Sequence, residues 1–208
     1  ALCVAAGAWA WTHVEPPPGI AFDMQRAPVH ACAFVERAGI RGRALNHFFH
    51  GGYMLWRFGG ARDRLPFVDI HPEDTPAPLR LAYLEGLNSP AGFRALDARW
   101  RFDWALLSRR YADTYGILDV LDAEPGWALV FVDDAAAVYV RRDGADSAAA
   151  AHAYRVLRGS RRGEGALVAA CARDSSRRAA ALAELDRQAR DSPANFRGRA
   201  LLRALAGR

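Results

Sequence analysis

Histidines, acids and paired glycines gather in the first third of the chain. Residues 46–60 read NHFFHGGYMLWRFGG, with His47 and His50 three apart, Gly51-Gly52 directly after, and five aromatic residues besides the histidines. Residues 65–71 read LPFVDIH, which sets Asp69 and His71 two apart with Glu73 beyond. Imidazole and carboxylate groups are the donors of hydrolytic metal sites. His47 or His50 could join Asp69 and His71 at the C-terminal ends of adjacent parallel strands, the edge where open α/β sheets take their ligands. Two features oppose a metal. On a strand, His47 and His50 would face opposite sides, and Pro72 breaks the continuation that would put Asp69, His71 and Glu73 on one face. The candidate ligand-binding residues are therefore Asn46, His50, Gly51, Gly52, Asp69 and His71, with no catalytic residue, metal or cofactor assigned. The glycine pair suits a turn between strand and helix, where it gives either a tight corner or a cradle for phosphate. It falls short of the dinucleotide and P-loop patterns. There is no GxSxG elbow for a serine nucleophile, and Asp133-Asp134 suits a hairpin turn on conformational grounds.

The elements that must position these residues alternate between helix and strand. Pro28 and Gly39 bracket a first helix. Residues 43–49 (RALNHFF) read as a short strand, GGYMLWRF as a turn into a short helix, and LPFVDIH as a buried strand. Pro78 opens a helix, and Ser89-Pro90 gives the cap-plus-proline start of another. Residues 102–108 (FDWALLS) form a third strand. Tyr111, Tyr115, Leu118 and Leu121 share a helical face over 111–122. GWALVFVD and AAAVYVRR flank Asp133-Asp134 as an antiparallel hairpin at the sheet edge. The expected fold is α/β over residues 20–143, with a small, mostly parallel sheet and an antiparallel edge hairpin. Residues 147–208 carry helices only: one capped near Asp174 to Ser176, another from Ser192-Pro193. The DSPANF turn between them gives this extension a tetratricopeptide-like look.

Composition narrows the class. Half of the 208 residues are apolar, which excludes a disordered chain. The net charge is +5, carried entirely by arginine without lysine. Those arginines alternate with Asp and Glu and accompany no nucleic-acid-binding motif, so no nucleic-acid partner is expected. Cys3, Cys32 and Cys171 have neither disulfide-framework nor zinc-finger spacing. The opening ALCVAAGAWAW is wholly apolar but half the length a membrane span needs. With Trp9 and Trp11 suited to a bilayer interface, residues 1–14 are expected to be the end of a transmembrane helix. The following EPPPG is a stiff exit. Acidic Glu15 and Asp23 precede the first arginine at position 26, which favours an extracytoplasmic placement for the rest of the chain.

From Arg26 to Arg142 the chain resembles the C-terminal soluble region of bacterial multi-spanning membrane proteins similar to GT-C type, lipid-linked-sugar glycosyltransferases. The resemblance rests on Arg26, Pro28 and Ala31; on Asn46, Phe48, Gly51, Gly52, Tyr53, Trp56 and Arg57; on FVD at 67–69; on Asp103, Trp104, Leu106 and Leu107; and on Trp127 through Arg142. It departs at Ile70-His71-Pro72, where similar sequences often carry Gly-Arg. The resemblance implies a bacterial cell-membrane protein whose catalytic carboxylate lies in membrane loops outside this chain. This chain would then be a non-catalytic extracytoplasmic domain that covers the membrane region or docks a lipid-linked sugar, an acceptor or a protein partner. Two other classes remain open: a soluble α/β enzyme, such as a metal-dependent hydrolase, with a site near His50, Asp69 and His71; and a protein-interaction module working through the helical tail.

Overall fold

A computed structural model describes residues 26–59, 61–71, 73, 75–110, 114–144, 146–193 and 195–207. The expected membrane segment at residues 1–14 lies outside the described residues. Among the described residues, no helix is long and apolar enough to cross a membrane.

The chain runs α1 (Val29–Arg37), β1 (Ala44–Asn46), α2 (Phe48–Phe58), a 3-10 turn (Arg62–Arg64), α3 (Ala77–Asn88), α4 (Pro90–Trp100), β2 (Trp104–Ser108), α5 (Ile117–Ala123), β3 (Trp127–Val132) and β4 (Ala136–Arg141). A 3-10 segment (Ser147–His152) leads to three tail helices, α6 (Arg162–Arg173), α7 (Ser175–Asp191) and α8 (Phe196–Ala206). The four strands form one mixed sheet in the order β1-β2-β4-β3. β1 and β2 are parallel, Ala44 opposite Trp104. β4 pairs antiparallel with both β2 and β3. The expectation of a mostly parallel sheet is therefore corrected: one of the three pairings is parallel. The hairpin does not merely close an edge, because its second strand inserts beside β2.

Both sheet faces are covered. Leu45, Ala105, Leu107, Ala137 and Tyr139 face one core with α3 to α8, and Trp104, Leu106, Val138 and Val140 face the other with α1 and α2. This is the period-2 alternation of a strand buried on both sides. A bulge between Leu129 and Phe131 puts Val130 and Phe131 on the same side. Phe131 there meets Phe34 of α1 at 5.4 Å between centroids, and Val132 turns back to the opposite core. Cys32 and Cys171 are free and belong to different cores.

Two further expectations change. Residues 65–71 form no strand, and β1 stops at Asn46. Pro66 has no N–H for a ladder, and the Asn46 side chain supplies the hydrogen bonds that a neighbouring strand would have given. Of the helix expected over 111–122, residues 111–113 lie outside the described residues, and α5 covers 117–123.

The tail is a continuation of the first core. Leu167, Cys171, Leu185 and Leu205 pack in the same cluster as Leu129, Val132 and Tyr139. Polar contacts converge on the β3–β4 turn. Asp133 is buried and accepts from the amides of Ala135 and Ala136, both at 2.9 Å, and from Ser192 Oγ at 3.0 Å. Asp134 accepts from Phe196 N at 2.7 Å, at the start of α8. Ser192 thus serves the hairpin, and the cap of α8 is Asn195, which accepts from Gly198 N. Gln188 of α7 donates to the Val132 carbonyl at 2.9 Å. Asp133→Ala is expected to lower stability by at least about 2 kcal/mol, because it strands three buried donors. Asp133→Asn, which keeps an acceptor for the two amides, should lose less. Urea midpoints of the two variants check the order.

Candidate functional site

The parallel pair places the ends of β1 and β2 on one edge. Beyond β1, His47 turns the chain into α2. Its backbone is extended, and Nδ1 accepts from Phe49 N at 3.4 Å, so it acts as the N-cap. Its ring sits among those of Phe48, Phe49, His50 and Tyr115, with centroids 4.7 to 6.0 Å away. β2 ends at Ser108, which is buried, and Arg109 and Arg110 follow. Between this edge and the start of α1 lies a cleft of about 400 Å³, lined among others by Arg26, His50, Gly52, Tyr53, Trp56, Ser108 and Arg110. That volume lies within the range of small-molecule sites, roughly 300–1,000 Å³.

The six sequence candidates divide. Asn46 is fully buried and structural. Its Oδ1 accepts from Phe67 N at 2.7 Å and Val68 N at 3.3 Å, and its Nδ2 donates to Val68 O at 2.7 Å and His47 O at 3.1 Å. Gly51 and Gly52 form no turn; both sit inside α2. A Cβ on Gly51 would meet the Val68 carbonyl oxygen at 2.4 Å and Asp69 Cα at 2.7 Å, whereas one on Gly52 would meet nothing within 4 Å among the described residues. Gly51 therefore lets the helix touch segment 68–69, and Gly52 opens onto the cleft. His50 belongs to the cleft. Asp69 does not: it lines a separate pocket with Phe48, Ile70, Tyr83 and Leu84. His71 turns onto Asp69, with its N–H on Asp69 Oδ1 at 2.9 Å and its Nδ1 3.3 Å from Oδ2. The expected meeting of His50 with Asp69 and His71 is thus corrected: Gly51 and its contact segment stand between two separate pockets. Among the described residues, no three His, Cys, Asp or Glu side chains group as a metal site needs.

Burial sets the protonation of both histidines. His50 is lowered to about 3, first by desolvation and then by the adjacent His47; a hydrogen bond to the Arg26 backbone works in the opposite direction. His47 is lowered to about 4 by desolvation. Both rings are neutral at pH 7. His50 Nδ1 is buried and, among the described residues, has no hydrogen-bond partner. The interaction of the ring with the Arg26 backbone links the segment before α1 to α2. Arg26, Ser108 and Arg110 were not among the sequence candidates. The signal for Ser108 and Arg110 was present, since Ser108 ends the strand expected at 102–108 and Arg110 follows it, and the strand-end rule applied to His50 applies equally there.

Compared with known proteins, the chain matches no family model, no curated protein and no solved structure. The chemistry of the cleft is therefore read from its own residues.

Gly51→Ala should destabilise by roughly 1–3 kcal/mol through overpacking. Gly52→Ala should stabilise by roughly 0.5–1 kcal/mol, because alanine is the better helix former and meets open space. Denaturant midpoints of the pair check this. The histidines make stability pH-dependent. Unfolded, each titrates near 6.5, so below that pH the unfolded chain binds protons that the folded chain refuses. Their contribution is complete above about pH 6.5 and is lost progressively as pH falls toward 4 for His47 and 3 for His50. Between pH 6 and 5 the two together should remove about 2–3 kcal/mol, and His50→Phe should roughly halve that slope. Urea melts at both pH values read it directly.

Proposed function

We propose that this chain is the extracytoplasmic C-terminal domain of a bacterial membrane protein of the glycosyltransferase-like kind its sequence resembles, non-catalytic by itself and seated over the membrane region. The observation that carries this reading is the outer face of α2. Its inner face, His50, Gly51, Met54 and Phe58, is buried. Its outer face is also apolar, with Phe49, Leu55 and Trp56 exposed at 50%, 42% and 64%. A surface helix ordinarily carries polar residues on that side, and large exposed apolar area marks a surface used for contact with protein or membrane. The first described residue, Arg26, lines the same cleft as Phe49 and Trp56. Residues 15–25 separate that point from the apolar opening segment, a reach of at most about 40 Å even fully extended. A membrane anchor in residues 1–14 would hold the α2 face within that distance of the bilayer.

The tail supports a protein-partner role less strongly. α7 and α8 pack against each other across the Ser192–Asn195 turn, which suits a tetratricopeptide-like pair, but Leu185 and Leu205 face the sheet core and Phe196 is the large apolar side chain α8 leaves exposed.

The test is fractionation of cells expressing the full native reading frame with a tag after residue 208. The expected result is sedimentation with membranes and cleavage of the tag by protease added from outside. A tag recovered in the soluble fraction, or protected in intact cells, overturns the proposal.

A further inference from the structure

We propose that the cleft between α1, α2 and the end of β2 binds a hydroxylated ring bearing an anionic group, such as a phosphorylated or acidic monosaccharide unit, with the ring on Trp56 and the anion between Arg26 and Arg110. Four observations converge. Two arginines line the cleft and, among the described residues, no carboxylate does. Guanidinium groups bind phosphate and carboxylate through paired, directed N–H donors. The cleft runs along the first turns of α2, whose N-terminal end adds a positive partial charge. Trp56 is 64% exposed, with Tyr53 beside it at 5.4 Å between centroids, so a flat apolar plate stands next to the cations. The C–H face of a sugar ring covers such a plate, and its anionic substituent then reaches the arginines.

The floor supplies the remaining specificity. Ser108 can both donate and accept. His50 is 2% exposed and, among the described residues, its buried Nδ1 has no hydrogen-bond partner, whereas the arginines of the cleft can only donate. A hydroxyl group can partner a ring nitrogen in either tautomer and also accept from a guanidinium. A buried polar atom left unsatisfied is unfavourable, and a hydroxylated ligand relieves it. Gly52 keeps the wall open, since no atom of the described residues lies within 4 Å of where its Cβ would be. The site needs only the cleft and stands whether or not the chain is membrane-attached.

The test is a titration of the full chain, in a polyoxyethylene detergent, followed by the indole N–H signal of Trp56, assigned by its loss in Trp56→Phe. The probes are glucose 1-phosphate, glucuronate, glucose and inorganic phosphate. The expected result is a saturable shift below about 10 mM with glucose 1-phosphate, glucuronate or both, the stronger of the two identifying the anion, and binding at least tenfold weaker for glucose and for phosphate alone. Arg110→Gln should weaken the preferred probe about tenfold or more, with the other five indole signals in place as the check on folding. Equal binding of glucose overturns the anion assignment, equal binding of inorganic phosphate overturns the ring, and no shift with any probe on the wild-type chain overturns the site. Fractionation reads attachment alone, so failure of the membrane proposal and failure of this one are separately visible.

Discussion

One buried amide sets the geometry of the functional half of the molecule. Asn46 ends β1, and both donors and both acceptors of its side chain are used. Its own carbonyl accepts from Tyr83 Oη at 3.0 Å, and that oxygen accepts in turn from Phe48 N at 3.0 Å. The end of a strand, the segment 67–68, helix α3 and the first turn of α2 are thus joined through one residue. In a low-dielectric interior such a network is favourable only when complete. No apolar residue could occupy the position without leaving the amides of Phe67 and Val68 and the Val68 carbonyl unpaired.

That constraint explains why α2 lies where it does. With segment 67–68 held beside β1, the helix can descend onto it only if the contacting residue has no side chain, and Gly51 is that residue. A second fixed point lies on the same edge of the sheet, after the neighbouring strand. Arg109, directly after β2, is buried and donates to Gly159 O, Asp133 O and Glu164 Oε1 at 2.8, 3.1 and 2.7 Å. Glu184 of α7 accepts from three consecutive amides, Arg155 to Leu157, at 2.7 to 3.0 Å. Buried charge is tolerated here because each group is multiply bonded. The tail is locked to the strand ends by directional contacts as well as by its leucines, so the cleft edge at Ser108 and Arg110 rests on a braced support.

Where the signal was local, the sequence was legible. Pro28 and Gly39, the latter at φ 68°, bounded α1 within a residue. Ser89 caps α4 by accepting from Gly92 N, as the Ser-Pro pair implied. β2 and the hairpin followed from unbroken apolar runs. The misreadings were all non-local. LPFVDIH has the composition of a strand, but its hydrogen bonds go to a side chain twenty residues earlier, which no window over 65–71 can contain. GG reads as a turn because glycine is a poor helix former, yet here tertiary contact at Gly51 outweighs propensity. α6, RGEGALVAACAR, carries two glycines and no capping side chain; it is helical because Leu167 and Cys171 reach the sheet core. Of the candidate site, His50 and Gly52 fell in the cleft. Asp69 and His71 did not, since their strand does not exist.

The two faces of α2 are therefore under different demands. The inner face is fixed by packing: Gly51 by contact, Met54 and Phe58 by the second core, and His50 by its tie to Arg26. None of those demands extends to Phe49, Leu55 and Trp56. Phe49 rests against His47 and Phe48 and Trp56 beside Tyr53, yet both remain half or more exposed, which gives up part of the hydrophobic stabilisation of full burial. Retaining them beside an arginine-lined cleft is consistent with a face shaped by what it meets outside the domain. The neutral, buried His50 sits where both demands cross, linked to the Arg26 backbone while it lines the cleft.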